Sequence, residues 1–224
     1  MARLFVTATG TSVGKTYTST LLLRSFARLG WRVGACKPVE TGVESIPQDA
    51  AELLGETQRH NPAFAGLDPR ELCAYTFPLP AAPFCADTQR SIEPARILAT
   101  VEALERRCDL LIIEGAGGLM VPLLSDYLMI DLARDLEAEI LLVTPSRLGC
   151  INETLLSLEA LRQRGLPHRW CVNLHEEAAG FDRVTRPFYD AAFGQQWWTL
   201  QEEADAFCRD FSIRHEAPPP PRPA

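Results

Sequence analysis

The clearest structural signal is the stretch Leu4-Phe5-Val6-Thr7-Ala8-Thr9-Gly10-Thr11-Ser12-Val13-Gly14-Lys15-Thr16. Its apolar start, Leu4–Ala8, predicts a β-strand, and the amphipathic run Lys15–Leu29 predicts a helix. A loop rich in Gly, Ser and Thr between a strand and a helix gathers backbone N–H groups around one point, at the positive end of the helix. This arrangement predicts a binding site for phosphate.

The last residues of this stretch suit a nucleoside triphosphate. Lys15 can reach the β- and γ-phosphates, and the hydroxyl of Thr16 can bind Mg²⁺. The usual pattern has glycine five residues before Gly14, where this chain has Thr9, and we expect Gly10 to supply the permissive backbone instead. The alternative is a plain turn that exposes Lys15 at a helix start, and the flanking strand and helix favour nucleotide binding over it.

The rest of the chain alternates short apolar runs with longer amphipathic ones, a pattern typical of a parallel sheet covered by helices. We therefore predict an α/β P-loop NTPase fold, with a mostly parallel sheet and helices on both faces in three layers. The further predicted strands are Trp31–Cys36, Leu110–Ile113, Glu139–Thr144 and Arg169–Asn173, and the further predicted helices are residues 93–107 and Ile151–Arg164. Residues 1–216 are predicted to form one domain with a proline-rich loop excursion at 60–90, followed by a flexible proline-rich tail at 217–224.

Composition narrows the class of protein. The 224 residues are 46% hydrophobic and 23% charged, which excludes a disordered, collagen-like or membrane-spanning chain. The net charge of -7 argues against non-specific binding to nucleic acid or acidic membranes. The N-terminal apolar run is too short for a signal peptide, and seven cysteines without CxxC spacing predict reduced thiols. We expect a cytoplasmic protein whose partners include neither nucleic acid nor a membrane.

Charged residues at two strand ends extend the predicted site, because ligands of open α/β sheets bind at the carboxyl ends of the strands. Strand two ends in Lys37-Pro38-Val39-Glu40-Thr41-Gly42, whose turn projects Lys37 over the edge that carries the phosphate loop. A later strand ends in Glu114-Gly115-Ala116-Gly117-Gly118, where the carboxylate can hold Mg²⁺ and the glycines let the backbone approach a phosphate or substrate. The alternatives are a solvated lysine and a solvated glutamate.

Asp49 stands just before the run Ala50-Ala51-Glu52-Leu53-Leu54, which reads as the start of a helix. The local pattern predicts an N-cap or a first-turn carboxylate, with capping favoured. A metal-binding role for Asp49 has to come from another argument.

Taken together, these segments resemble the dethiobiotin synthetase family. The resemblance covers about the first three-quarters of the chain, and the segments occur in the family's order. Besides the phosphate loop, Lys37–Gly42 and Glu114–Gly118, the resembling segments are Asp49-Ala50, Tyr75 with Phe77, Ala82-Pro83, Val121-Pro122-Leu123, Leu148-Gly149-Cys150-Ile151-Asn152 and Asn173.

The resemblance implies a homodimeric Mg-ATP-dependent ligase of biotin biosynthesis. In this family CO₂ adds to one amine of 7,8-diaminopelargonate to give a carbamate, and ATP phosphorylates the carbamate. The second amine then closes the ureido ring of dethiobiotin, with release of ADP and phosphate. A related P-loop amidoligase acting on a corrinoid precursor, and a partition-type regulatory ATPase, are the alternatives. The first is expected to need a glutamine-hydrolysing domain, and the second an additional lysine early in the loop, where residues 8–14 contain none.

The resemblance also implies roles for individual residues. Catalytic roles fall on Lys15, Lys37 and Thr11, and Mg²⁺ ligation on Thr16, Asp49 and Glu114. ATP contacts fall on Ser12, Val13, Gly14, Lys15, Thr16, Tyr17, Asp49, Glu114, Gly115, Ala116, Gly117 and Asn173. Substrate contacts fall on Lys37, Thr41, Gly118, Gly149, Cys150, Ile151 and Asn152. The last four belong to a helix start that the family uses across the dimer interface, where free N–H groups receive the substrate's tail carboxylate. Cys150 itself is interpreted as a small buried residue and not as a nucleophile.

The chain departs from the family pattern at several positions. Ala8 replaces a glycine, Gly10 an aspartate that contacts substrate, and Phe84 a histidine. A Gly-x-Ile/Leu-Pro segment that frames the adenine is replaced here by Phe193-Gly194-Gln195-Gln196-Trp197-Trp198. We therefore predict relaxed selectivity for the nucleotide base, and a packing or dimer-surface role for Trp197 and Trp198.

Overall fold

The computed structural model describes residues 1–175 and 178–215. The strands are, in chain order, β1 (Ala2–Ala8), β2 (Val33–Cys36), β3 (Val39–Thr41), β4 (Tyr75–Phe77), β5 (Leu110–Gly118), β6 (Glu139–Pro145), β7 (His168–Asn173) and β8 (Trp198–Thr199). The helices are α1 (Lys15–Arg28), α2 (Gln48–His60), α3 (Pro83–Ala86), α4 (Pro94–Glu105), α5 (Met129–Asp135), α6 (Cys150–Gln163), α7 (Ala178–Val184), α8 (Arg186–Phe193) and α9 (Leu200–Arg214).

Six strands form one parallel sheet in the spatial order β2-β5-β1-β6-β7-β8, and β3 and β4 form a separate parallel pair. The step from β1 to β2 runs one way along the sheet, and the steps from β2 to β5, β5 to β6 and β6 to β7 run the other way. Because such crossovers are right-handed, α1 covers one face and α4, α5 and α6 cover the other. Helix α9 packs against α1 and joins its face. The predicted α/β fold is confirmed.

The strand β5 is longer than the sequence predicted. We expected it to end at Ile113, but it continues to Gly118 alongside β1, where Ala8 pairs with Gly118. A Cβ on Gly118 would lie 3.1 Å from the carbonyl oxygen of Ala8 and 3.2 Å from that of Thr9, so glycine permits this close approach. The glycine-rich segment therefore lies in the sheet, directly beside the phosphate loop.

Aromatic clusters attach the outer helices to the sheet. Phe211 of α9 contacts Phe26 of α1 edge-on, with ring centroids 5.2 Å apart. At the other edge, Trp197 stacks on Trp170 with ring centroids 5.7 Å apart, and Trp197 is 7% exposed. Trp198 packs edge-on against Phe207. The predicted packing role of the two tryptophans is confirmed within the chain.

The proline-rich excursion folds over the sheet as two short 3₁₀ turns, β4 and α3. Asn61 anchors its start, since its side-chain nitrogen donates to the carbonyl oxygens of Val33 and Arg107 at 2.8 and 2.9 Å. The predicted tail at 217–224 lies outside the described residues. Among the helices of the described ranges, none combines the length and apolar character needed to cross a membrane.

Candidate active site

The phosphate loop turns sharply at Gly14. This residue has a φ of 97°, which favours glycine, and a Cβ added here would lie 2.1 Å from the side-chain nitrogen of Asn173. Helix α1 begins at Lys15, and its first backbone bond runs from Thr18 N to Gly14 O at 2.9 Å. The first N–H groups of α1, which have no partner within the helix, therefore lie at the same edge of the sheet as the loop.

The loop borders a cleft of about 910 Å³ at the carboxyl ends of the strands. The predicted site residues that line it are Thr11, Ser12, Gly14, Lys15, Thr16, Tyr17, Lys37, Thr41, Asp49, Ala116, Gly117 and Asn173. The predicted site residues outside this lining are Val13, Glu114, Gly115, Gly118, Gly149, Cys150, Ile151 and Asn152. The structure thus brings most of the predicted nucleotide residues into one cleft.

Lys15 is held close to the loop that precedes it. Its Nζ donates to the carbonyl oxygen of Gly10 at 3.1 Å, and its side chain is 7% exposed. Burial, followed by the nearby charge of Lys37, lowers the pKa of Lys15 to about 8. A phosphate group that enters the cleft would give the Lys15 ammonium an anionic partner.

Lys37 lies between two carboxylates. Its Nζ is 2.6 Å from Oε1 of Glu114 and 2.7 Å from Oδ2 of Asp49, and Lys37 is 3% exposed. Burial alone would lower the pKa of Lys37, but the charges of Glu114 and Asp49 outweigh it and raise the pKa well above its usual value. Burial would likewise raise the pKa of Asp49, and the charge and hydrogen bonds of Lys37 reverse this to a net lowering. Lys37 is therefore a permanent cation in the site.

The hydroxyls of α1 complete the surroundings of Glu114, which is fully buried. Thr16 Oγ1 lies 2.9 Å from Oε1 of Glu114 and 3.2 Å from Oδ1 of Asp49. Ser19 Oγ donates to Oε2 of Glu114 at 2.9 Å, a contact that sequence reasoning missed. Its signal was the spacing: Ser19 follows Lys15 by one helical turn and lies on the same face of α1.

Thr16, Asp49 and Glu114 form an oxygen-only donor set, which is the chemistry that Mg²⁺ prefers. Within the described ranges, no three His, Cys, Asp or Glu side chains are grouped closely enough to hold a metal ion by themselves. Mg²⁺ is typically bound through one or two carboxylates together with phosphate oxygens, so two carboxylates and a hydroxyl fit it.

Glu40 performs the capping role that the local pattern favoured for Asp49. Its two carboxylate oxygens accept from the backbone N–H groups of Asp49 at 3.1 Å and Ala50 at 2.9 Å, at the start of α2. The Asp49 side chain makes no capping bond and turns instead to Thr16 and Lys37. The favoured capping interpretation of Asp49 was wrong, because a more distant carboxylate takes the helix N-terminus.

At the carboxyl end of β7, both the nitrogen and the oxygen of the Asn173 side-chain amide are hydrogen-bonded. Its Nδ2 donates to the carbonyl oxygen of Val13 at 2.9 Å, and its Oδ1 accepts from Nε2 of Gln201. Oε1 of Gln201 accepts from the backbone N–H of Leu174 at 3.2 Å. Gln201 lines the cleft, and the sequence analysis did not identify it.

Lys15 and Lys37 are the only lysines in the chain. The other 20 of its 22 basic residues are arginines. Lysine presents a compact charge on a flexible stem, whereas arginine presents a larger planar group. Both lysines of the chain thus line this one cleft.

The segment Gly149–Asn152 begins α6 outside this cleft. Cys150 is buried, in agreement with a packing role. The preceding Leu148 is 85% exposed, and Leu156, on the next turns of the helix, is 64% exposed. Glu153 in the first turn reaches back to Thr9 of the phosphate loop, with 3.3 Å between Oε2 and Oγ1. The start of α6 therefore lies next to the phosphate loop without lining the cleft.

Comparisons of the sequence with known proteins give concordant results. A family model described as "AAA domain" matches residues 2–178. A curated relative from Sulfurovum sp. (strain NBC37-1), named ATP-dependent dethiobiotin synthetase BioD, is 53% identical over 209 residues, which cover 93% of this chain and 99% of the relative. A protein of the same name from Wolinella succinogenes is 42% identical over 195 residues, covering 84% of this chain and 88% of the relative.

Solved structures resemble the fold at low sequence identity. A plasmid partition protein from Borrelia burgdorferi has a TM-score of 0.61 at 9% identity, covering 95% of this chain and 98% of that one. A MinC:MinD cell division protein complex from Aquifex aeolicus has a TM-score of 0.56 at 13% identity, covering 100% and 99% of the two chains. At such identities the likeness concerns the fold alone.

Proposed function

Since this chain belongs to the family of ATP-dependent dethiobiotin synthetases, we propose that it forms dethiobiotin from 7,8-diaminopelargonate, CO₂ and ATP. The enzyme is a cyclo-ligase of biotin biosynthesis, working in the cytoplasm on small molecules. One observation supports placing this reaction in the cleft: the chain's two lysines line it together with Thr16 and Asp49.

ATP binds with its triphosphate along the loop and the start of α1. Backbone N–H groups of the loop and Lys15 hold the β- and γ-phosphates, and the charge of Lys15 favours the bound triphosphate. Asn173, with the glycine-rich end of β5, borders the remainder of the nucleotide. Tyr17, 49% exposed at the start of α1, supplies a further surface beside the cleft.

Thr16, Asp49 and Glu114 hold Mg²⁺ in this proposal. The ion, when bound, neutralises phosphate charge and orients the triphosphate. In the structure the Lys37 ammonium lies against both carboxylates, so these acidic groups already share a cation. Ser19 supports the arrangement by holding the second oxygen of Glu114.

The chemistry needs positive charge, since a carbamate and a triphosphate are both anions and repel each other. A carbamate oxygen attacks the γ-phosphorus and ADP leaves, giving a carbamic-phosphoric anhydride. The second amine then attacks the carbonyl carbon, phosphate leaves, and the ureido ring closes. Lys37 orients the carbamate and stabilises its developing charge, and Lys15 stabilises the charge on the transferred phosphoryl group. Thr11 lines the same cleft. No step requires a protein nucleophile.

The assignment is tested by incubating the protein with diaminopelargonate, bicarbonate, Mg²⁺ and ATP, and following dethiobiotin by mass spectrometry. We expect product from the unmodified chain and its loss in Lys15→Ala and Lys37→Ala. Arg32→Ala is the matched control, because Arg32 is an exposed cation paired with Asp109 outside the cleft. Unchanged rates in both lysine variants would refute the assigned roles, and absence of product from the unmodified chain would refute the function.

We further propose that the enzyme is a homodimer in which Gly149–Asn152 binds the substrate's tail carboxylate for the partner's cleft. Support comes from the exposed Leu148 and Leu156 beside a helix start that does not line its own cleft. Sedimentation tests the dimer. Mixing Lys37→Ala with Asn152→Ala chains tests the shared site, since a mixed dimer contains one complete site and regains activity. No recovery from a mixture shown to exchange subunits would contradict the proposal.

A further inference from the structure

Two side-chain amides line the cleft next to the phosphate loop, those of Asn173 and Gln201. Gln201 contacts two consecutive residues of the chain: Nε2 donates to Oδ1 of Asn173, and Oε1 accepts from the backbone N–H of Leu174 at 3.2 Å. Asn173 is 4% exposed, and its Nδ2 donates to the carbonyl oxygen of Val13 at 2.9 Å. The amide of Asn173 is therefore held at its oxygen and at its nitrogen by different parts of the chain.

This double contact fixes which way the Asn173 amide points. An amide that can turn by 180° exchanges its donor and its acceptor. Here such a flip would set Nδ2 against the donating Nε2 of Gln201 and Oδ1 against the carbonyl oxygen of Val13. Both hydrogen bonds would become repulsive contacts. In the fixed orientation, and with the partners found among residues 1–175 and 178–215, Oδ1 keeps one free lone pair and Nδ2 keeps one free N–H, which is the capacity needed to read a base.

A fixed amide can distinguish a 6-amino purine from a 6-oxo purine. Asparagine recognises adenine by accepting from the 6-amino group and donating to N7. A 6-oxo purine presents acceptors at both positions, so the fixed Oδ1 would face another oxygen. An amide free to flip could instead donate to the 6-oxo group. Selectivity thus depends on what holds the amide in place.

We infer that Gln201 is a positioning residue for base selection, which makes the cleft prefer 6-amino over 6-oxo purine nucleotides by holding the Asn173 amide in one orientation. The inference rests on the proposed function, in that a nucleotide binds with its phosphates on the loop. It predicts the opposite of the relaxed base selectivity that the altered segment at 193–198 suggests. Gln201 reaches the site from the first turn of α9, immediately after that segment.

Titration calorimetry of the full chain with Mg-ATP, Mg-ITP and tripolyphosphate tests this. ATP and ITP differ at position 6 of the purine, and tripolyphosphate has no base. We expect the unmodified chain to bind ATP at least about ten-fold more tightly than ITP. In Gln201→Leu the preference should fall to within about three-fold, while tripolyphosphate affinity stays within about two-fold of the unmodified value.

Gln201→Glu separates positioning from simple packing. It keeps an acceptor for Leu174 N–H and nearly the same shape, but it replaces the donor to Asn173 by a second acceptor. We expect the same loss of preference as in Gln201→Leu. The matched control is Gln163→Leu, which removes an exposed amide that bonds Glu159 at the end of α6.

The outcomes are distinct. Equal affinity of the unmodified chain for ATP and ITP, or an unchanged preference in both Gln201 variants, would overturn the inference while leaving ATP use intact. If neither ATP nor tripolyphosphate bound the unmodified chain, the proposed function would fail, and this inference with it. Thermal unfolding of each variant checks that any change in preference occurs in a folded protein.

Discussion

The ammonium of Lys37 and the carboxylate of Glu114 form an ion pair that is almost completely removed from solvent, with 2.6 Å between Nζ and Oε1. Removing one partner of such a pair leaves a buried charge without its counterpart, which costs about 3 kcal/mol. We expect Lys37→Met to lower the free energy of unfolding by about this amount. Glu114→Gln should lower it by less, because Lys37 keeps its ion pair with Asp49 at 2.7 Å. Urea denaturation followed by circular dichroism measures it.

The double variant Lys37→Met/Glu114→Gln decides whether the loss comes from the pair. It contains neither buried charge, so its loss should be smaller than the sum of the single losses by at least about 1 kcal/mol. Strictly additive losses would show that the two residues stabilise the fold independently. ATP turnover should vanish in all three variants, because the stability gained back in the double variant does not restore the cation.

The two lysines should differ sharply in their reaction with a small acylating reagent at pH 8. The pKa of Lys15 is lowered to about 8, so about half of its amine is unprotonated at that pH, whereas the raised pKa of Lys37 keeps it as an ammonium. We expect acetic anhydride to modify Lys15 and the N-terminal amine, and to leave Lys37 unmodified. Because the chain has no other ε-amino group, peptide mass mapping gives the answer directly.

Bound nucleotide supplies the control for the labelling. Mg-ATP should protect Lys15, whose amine then faces phosphate, and should leave the labelling of the N-terminus unchanged. Modification of Lys37 at a rate similar to that of Lys15 would contradict the buried pair with Glu114.

The parts of this site that the sequence predicted are those encoded by neighbouring residues. Strand β1, the loop and the start of α1 lie within one continuous stretch, so Lys15 and Thr16 could be placed by local pattern alone. Lys37 was placed through the rule that strand ends share one edge of a parallel sheet. These inferences need no knowledge of which distant residues meet.

The missed features depend on contacts between distant residues. Glu40 caps α2 across the turn that follows β3, and that contact releases Asp49 to face Lys37. Gln201 follows Asn173 by 28 positions and meets it only because β8 pairs with β7. The extension of β5 arises from pairing with β1, which favours extended backbone although three of the nine residues at 110–118 are glycines.

Glu40 should influence Mg²⁺ binding through Asp49 without touching the ion. Replacing Glu40 by alanine removes the hydrogen bonds that cap the first turn of α2, which costs about 1 kcal/mol of stability. Without them, Asp49 can move away from Thr16. We expect Glu40→Ala to weaken ATP binding about ten-fold in the presence of Mg²⁺ and little in its absence. Calorimetry with and without Mg²⁺ measures both. Glu52→Ala, an exposed glutamate on the same helix, should change neither, and an equal loss with and without Mg²⁺ would refute the positioning role.

The pair formed by Glu56 of α2 and Arg24 of α1 should make stability depend on acid pH. The hydrogen bond from Arg24, opposed by burial and aided by His60 and Arg59, lowers the pKa of Glu56 to about 2. A carboxyl whose pKa is lower in the folded state stabilises the fold above its unfolded pKa, about 4.5, and this contribution is lost as the pH falls towards about 2. Because Arg24 and Arg59 are largely exposed, we expect Glu56→Gln to cost about 1–2 kcal/mol at pH 7 and almost nothing near pH 2. Urea denaturation across this range measures the difference, with Glu52→Gln as the control on the exposed face. A loss of equal size at pH 7 and pH 2 would mean that Glu56 acts through packing, since its ionisation would then contribute nothing.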